Sequence, residues 1–253
     1  MLAIIVPVRR ASTRLPNKPL YPIAGKPLVL HVAERLREIA PEIPLHFAVD
    51  DAEVKAVLEN AGFSAIMTDP ALPSGTDRIA AANKVIKATQ VINCQGDEPC
   101  VQRTHIDLLA DSLKRGAPMA TLALNSFTQS EFQNPNRPKV IVGTSGQALY
   151  FSRAMIPYDR SGNGTLSQDS LTLARQRIGL HQGFYAYTAA FLEQFVKMPP
   201  SPFEQIEKLE QLRVIENGYP ILVRFNNMPT QGIDTIEDVR AYEKLLGVGM
   251  ASR

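Results

Sequence analysis

Three cations, Arg9, Arg14 and Lys18, stand close together in the segment Val6-Pro-Val-Arg-Arg-Ala-Ser-Thr-Arg-Leu-Pro-Asn-Lys-Pro-Leu20. Cations at that spacing could hold a polyphosphate. The segment lacks the GxxxxGK[ST] glycine pattern, so phosphate would be met there by side-chain charge more than by a wrapped backbone. The same three residues could equally be solvated charges on an ordinary loop. A second group lies at Gln95-Gly-Asp97, where Gly96 permits close backbone approach to a ligand and Asp97 offers a hard oxygen to a divalent cation. An Asp after Gly is also a common turn residue. Asp234, in Gly232-Ile-Asp-Thr235, is a second candidate carboxylate. It also reads as a helix cap, because Thr235, Glu237 and Asp238 look like a helix start. No Ser/His/Asp or Cys/His arrangement is evident, which argues against a hydrolase.

These residues need a scaffold that places them together. Leu2–Val8 is a short apolar run ended by Pro7 and the arginines. It suits a buried parallel strand with the cationic loop at its carboxyl end, where α/β sheets hold ligands. Val32, Leu36 and Ile39 give residues 31–40 a helical stripe; 45–49 reads as a strand and 52–61, stopped by Gly62, as a helix. The alternation continues through 64–67, 76–88, 90–94, 104–115 and 119–124, and predicts an α/β fold with a mostly parallel central sheet and helices on both faces. The rhythm changes at 139–142 and 147–151, which read as an antiparallel hairpin around Gly143-Thr-Ser-Gly146. The expected organisation is a single domain over 1–253 with an inserted subregion at about 135–190. Residues 161–170, rich in Gly, Ser and Asn, read as a mobile loop. A strand at 184–187, a helix at 189–197, a helix from Phe203 after a Pro-rich break, a strand at 220–225 and a helix at 235–246 complete the chain. In the helix from Phe203, the residues Glu207, Glu210 and Gln211 would share a face.

Composition excludes several classes. With 45% hydrophobic and 21% charged residues the chain is foldable, not disordered. A net charge of +2, evenly scattered, gives no nucleic-acid or membrane surface. Cys94 and Cys100 lack CxxC spacing, so neither a zinc site nor a disulfide framework is indicated, and a reducing compartment fits. The start MLAIIVPVRR has its apolar run before its charges, unlike a signal peptide, and no apolar run approaches the ~20 residues that span a bilayer. The expectation is a cytoplasmic protein with no nucleic-acid or membrane partner.

Residues 9–20, written R-x-x-S-T-R-L-P-x-K-P-L, resemble the signature of the sugar-activating nucleotidyltransferases, in particular the 3-deoxy-manno-octulosonate (Kdo) cytidylyltransferases. The resemblance continues in order through Ser74-Gly-Thr-Asp-Arg78, Gln95-Gly-Asp-Glu-Pro99, Met119-Ala-Thr-Leu122, Asn134-Pro-Asn136, Ala148-Leu-Tyr-Phe-Ser-Arg153 with Ile156-Pro157, Leu209-Glu-Gln-Leu-Arg213 and Gly232-Ile-Asp-Thr235. It covers nearly the full length. It implies a Rossmann-like, nucleotide-diphospho-sugar transferase-like fold and transfer of CMP from CTP to the anomeric hydroxyl of Kdo, with pyrophosphate released, for lipopolysaccharide synthesis. It also implies Mg²⁺ as cofactor and a homodimer, with the subregion at about 135–190 serving sugar binding and dimerisation. Residue by residue, it gives Arg9, Arg14 and Lys18 to the triphosphate, Arg9 also to the sugar carboxylate, and Ser74 to the cytidine. Asp97 and Asp234 go to Mg²⁺. Gln95, His181, Tyr185, Glu210 and Gln211 go to the sugar.

The chain departs from the family pattern at Arg10 (usually Tyr), Asn17 (Gly), Val49 (Thr), Leu180 and Thr188 (basic residues) and Gln182 (Ile or Leu). These changes spare the phosphate and metal residues and leave open a related acid sugar, an 8-amino analogue of Kdo or a sialic acid. A silent nucleotide- or sugar-binding protein of the same fold is the alternative from another class; retained Asp97, Asp234, Arg14 and Lys18 argue against it.

Overall fold

A computed structural model describes residues 1–12, 14–162 and 165–247. The chain divides into two compact units, Met1–Ile106 with Thr230–Arg253, and Asp107–Pro229. The insertion expected at about 135–190 lies wholly inside the second unit, which extends beyond it on both sides.

In the first unit, β1 (Leu2–Val8) is buried from Ala3 to Val8, as its unbroken apolar run requires. A 3₁₀ turn, Lys18–Leu20, and a small hairpin of β2 (Pro22–Ile23) and β3 (Lys26–Pro27) lead to α1 (Leu28–Ile39). Then come β4 (Leu45–Val49), α2 (Ala52–Asn60), β5 (Ser64–Met67), α3 (Gly75–Ile86) and β6 (Gln90–Asn93). The strands run β6-β1-β4-β5, all parallel, with Ile5 opposite Asn93 and Val8 opposite Val49. The carboxyl ends of β1 and β6 therefore lie side by side, and both candidate loops leave from them. Asp51 caps α2, accepting from the N–H groups of Glu53 and Val54, and Ser74 caps α3, accepting from Asp77 N–H.

Next in sequence is α4 (Arg103–Lys114), followed in the second unit by β7 (Met119–Leu124), α5 (Gln129–Gln133), β8 (Lys139–Val142), β9 (Ala148–Ser152) and α6 (Gln168–Ala174). The unit continues with β10 (Ile178–Thr188), α7 (Ala189–Phe195), α8 (Pro202–Glu207), α9 (Gln211–Glu216) and β11 (Leu222–Asn226). β7 lies between β11, parallel to it, and β10, antiparallel; β8 pairs with β10 and with β9, both antiparallel. The expected hairpin is thus present. Back in the first unit, α10 (Ile236–Leu245) starts at the Thr235 and Asp238 capping box. The α/β class, with parallel strands separated by helices, is as the patterning predicts.

Three local readings need correction. β10 has eleven residues, where alternation had marked only 184–187, because Gly179, His181, Gln182 and Gly183 break the apolar pattern without breaking the strand. Gly179 has no room for a side chain: a Cβ there would lie 2.8 Å from Ala123 Cβ and 2.9 Å from Phe225 Cε1. The single helix from Phe203 is two helices, separated at Lys208, whose φ of 55° is left-handed. Glu207 therefore does not share a continuous helical face with Glu210 and Gln211. Residues 161–170 include an organised turn, where Ser161, Gly162 and Ser167 donate backbone N–H groups to the Asp159 carboxylate and α6 begins at Gln168. The Ser170 hydroxyl and these N–H groups hold the Asp159 carboxyl down at about 2. Residues 163 and 164 of that loop lie outside the described residues.

Candidate active site

At the carboxyl ends of β1 and β6, charged side chains from three distant stretches of the first unit meet. Lys18 Nζ donates to Asp97 Oδ2 at 2.5 Å and to Asp234 Oδ1 at 2.8 Å, and Arg14 Nη2 lies 2.9 Å from Asp234 Oδ2. Lys18 is only 16% exposed; burial disfavours its charge, but the carboxylates of Asp97 and Asp234 outweigh that and hold its pKa above the ordinary lysine value. Thr235, not Asp234, caps α10, so the Asp234 carboxylate is released to this cluster. The two readings of Asp234 are separated by one residue.

A cavity of about 600 Å³ opens over the cluster and is lined by Arg9, Arg14, Lys18, Gln95, Asp97 and Asp234. Arg9 is exposed, with one long bond from Nη2 to the Leu72 carbonyl at 3.4 Å. Gly75, at the N-terminus of α3, borders the same cavity, so the positive end of the helix dipole would favour an anion bound there. Ser74 is committed instead to Asp77, as the α3 cap and through a 2.5 Å hydroxyl bond to Oδ2. Gly96 answers to the scaffold: a Cβ there would come within 3.0 Å of Pro7 O and 3.1 Å of Val8 Cγ2. Its bareness lets the Gln95–Asp97 loop close against the end of β1.

Among the described residues no group of three or more His, Cys, Asp or Glu could hold a metal ion. The two carboxylates that share Lys18 Nζ are a set that a hard cation could use only with further oxygens from a bound phosphate and water. The donor set fits Mg²⁺ on those terms.

The second unit holds the other named residues. His181 and Tyr185, on β10, have ring centroids 5.4 Å apart, and the Phe151 ring stands edge-on to His181 at 5.1 Å. His181 Nε2 lies 3.0 Å from Thr121 Oγ1, and the Tyr185 hydroxyl donates to Gln211 Oε1 at 3.1 Å. Gln211 is 3% exposed and its Nε2 has no hydrogen-bond partner among the described residues. Glu210, half-buried, immediately precedes α9. Burial lowers the His181 pKa to about 3 and raises that of Tyr185 well above its ordinary value, so both are neutral near pH 7. They can offer hydrogen bonds, not charge.

The departures from the family pattern are absorbed locally. Asn17 takes the left-handed φ of 56° that explains Gly as the usual residue, and Asn tolerates it. Arg10 pairs with Asp51 at 2.8 Å and Glu53 at 2.6 Å, and its N–H donates to Asp50. Gln182 donates to the Met228 carbonyl and accepts from Asn226, Leu180 is in the core, and Thr188 caps α7. Apart from Val49, a buried core residue, each substituted side chain at these positions has a stated partner or a structural task.

The neutral His181 makes stability depend on pH. Its folded pKa of about 3 lies below the ~6.5 of an unfolded His, so between those values only the unfolded chain binds the proton and stability falls as pH falls. The expected loss between pH 7 and pH 5 is about 1–2 kcal/mol, after allowance for partial exposure. His181→Gln should flatten that slope in urea titrations at the two pH values; an unchanged slope would show that His181 does not supply it.

Residues 3–225 match the family described as cytidylyltransferase. A 3-deoxy-manno-octulosonate cytidylyltransferase of Syntrophobacter fumaroxidans is 42% identical over 247 residues, which cover 96% of this chain and 95% of that protein. One of Idiomarina loihiensis is 41% identical over 253 residues, covering 97% and 98%. The solved structure of CMP:2-keto-3-deoxy-manno-octonic acid synthetase complexed with CTP matches with a TM-score of 0.86 and 34% identity over 97% of this chain and 98% of its own. Given these full-length matches and motifs that run in order from Arg9 to Thr235, the chain belongs to the 3-deoxy-manno-octulosonate cytidylyltransferase family.

Proposed function

We propose that this chain transfers CMP from CTP to the anomeric hydroxyl of Kdo, releasing pyrophosphate. The observation that carries the reading is the junction of Lys18 and Arg14 with Asp97 and Asp234 under one cavity, in a chain 42% identical to a relative of that name. In the reaction the hydroxyl oxygen bonds to the α-phosphorus as the bond to the bridging oxygen breaks. Pyrophosphate carries away the electron pair and the hydroxyl loses its proton. Such a displacement needs neutralised oxygens and a positioned hydroxyl, and no covalent intermediate on the protein.

In this reading Arg14 and Lys18 are the cations for the triphosphate, Arg9 serves phosphate or the sugar carboxylate, and the α3 N-terminus adds backbone donors. Mg²⁺, held by Asp97 and Asp234 with phosphate oxygens, would offset the triphosphate charge and polarise the α-phosphate. In the second unit, neutral His181 and Tyr185, with Gln211 and Glu210, offer hydrogen bonds suited to sugar hydroxyls.

The wider setting belongs to the same proposal: a cytoplasmic step in lipopolysaccharide synthesis, supported by the nature of the sugar and by described helices too short or too polar to cross a membrane. A homodimer through the β8–β9 face is supported by the exposed apolar residues Leu149 on β9 and Phe203 and Ile206 on α8. A two-protomer mass by light scattering is expected; a monomer mass at all concentrations would remove that part.

The direct test is pyrophosphate release with purified CTP, Kdo and Mg²⁺. Excess chelator should abolish turnover, and Asp97→Asn or Asp234→Asn should each reduce it roughly a hundredfold or more while the variants stay folded. Kdo should be preferred over its 8-amino analogue and over sialic acid. Full turnover in chelator would remove the metal from the account, and no turnover with any of these acids would overturn the reading.

A further inference from the structure

The stretches Asn134-Pro-Asn136 and Ala148-Leu-Tyr-Phe-Ser-Arg153 match family motifs, yet nucleotide, metal and sugar claim none of their residues. In the second unit they converge on Glu207. The Ser152 hydroxyl donates to Glu207 Oε1 at 2.7 Å and the Arg153 N–H donates to Oε2 at 2.9 Å. Arg153 Nε donates to the Glu207 backbone carbonyl at 2.7 Å. Arg153 is fixed in turn, because its Nη1 donates to Pro135 O at 3.0 Å and its own carbonyl accepts from Lys139 Nζ at 2.6 Å. Lys139 is fully buried, and its other two bonds go to Asn134 O and Arg137 O, both at 3.1 Å. One ammonium so places three carbonyls.

Glu207 is the last residue of α8, and Lys208 then turns left-handed. In a continued helix the Glu207 carbonyl would accept the N–H of Gln211. Arg153 Nε occupies that carbonyl instead, while Lys208 N–H returns to Glu204 O at 2.7 Å. The helix therefore stops, and a new one starts at Gln211 with its side chain against Tyr185. Phe151, the neighbour of Ser152, stands against His181. One end of β9 thus braces both the Gln211 and the His181 sides of the polar group.

We propose that Arg153 and Glu207 are positioning residues for the sugar: they set the break at Lys208 and, through it, the placement of the buried Gln211 amide. This rests on the reading that Gln211, Tyr185 and His181 meet Kdo.

The test uses Arg153→Lys, which keeps the charge but loses the Nε and Nη1 fork, Glu207→Gln, and the milder Ser152→Ala, with Gln211→Ala as reference. Kinetics varied in Kdo at saturating CTP, calorimetric CTP affinity and thermal unfolding are measured on each. Arg153→Lys and Glu207→Gln should raise the KM for Kdo roughly tenfold, and Ser152→Ala about threefold, with kcat and CTP affinity within about twofold of the parent. If Gln211→Ala raises that KM while the folded brace variants leave it unchanged, or if they weaken both substrates alike, the positioning role is overturned. If Gln211→Ala also leaves it unchanged, the sugar assignment falls and takes the brace with it.

Discussion

The Lys18 ammonium lies 2.5 Å from Asp97 Oδ2 and 2.8 Å from Asp234 Oδ1, and the first unit is built so that residues so far apart in the chain can share it. Lys18 comes from the turn after β1, Asp97 from the loop after β6 and Asp234 from the approach to α10. Parallel pairing of β1 with β6 brings two of these loops to one sheet edge. The missing Cβ of Gly96 lets the second close on β1, and Thr235 relieves Asp234 of capping duty. Without the ammonium, two carboxylates would crowd together in a partly buried place. That is the electrostatic problem a divalent cation and a triphosphate would solve jointly, with Lys18 exchanging carboxylate oxygens for phosphate oxygens.

The second unit works by different physics. Apart from Glu210, its polar group is neutral: low-pKa His181, high-pKa Tyr185 and the amide of Gln211. Its order comes from buried hydrogen bonds, with Lys139 and Arg153 anchored on carbonyls and Glu207 on β9. Charge dominates the cluster in one unit, and hydrogen bonding dominates the polar group in the other.

Much of this was legible in the sequence where the physics is local. β1, β4, β5, β7 and β8 follow from apolar runs between turn residues, and their bounds agree with the patterning. Motif order led to Arg14, Lys18, Asp97 and Asp234, which the fold brings together in one cluster. What escaped was tertiary in origin. Apolar spacing alone carried a helix through Lys208, because the group that stops it, Arg153, lies 54 residues from Glu207 in the chain. β10 was shortened because its glycines and polar residues are selected by close neighbours, Ala123 and Phe225 for Gly179, Asn226 and Met228 for Gln182.

The shared ammonium can be measured without any ligand, by a double-mutant cycle of Lys18→Met with Asp234→Asn in urea unfolding. Each single change should destabilise, Lys18→Met the more because it leaves two adjacent carboxylates with only the exposed Arg14 beside Asp234. Asp234→Asn should then restore part of the loss in the Lys18→Met background, a coupling of about 1–2 kcal/mol. Effects that add to within about 0.5 kcal/mol would mean the two side chains do not depend on each other, and would contradict the account at its centre.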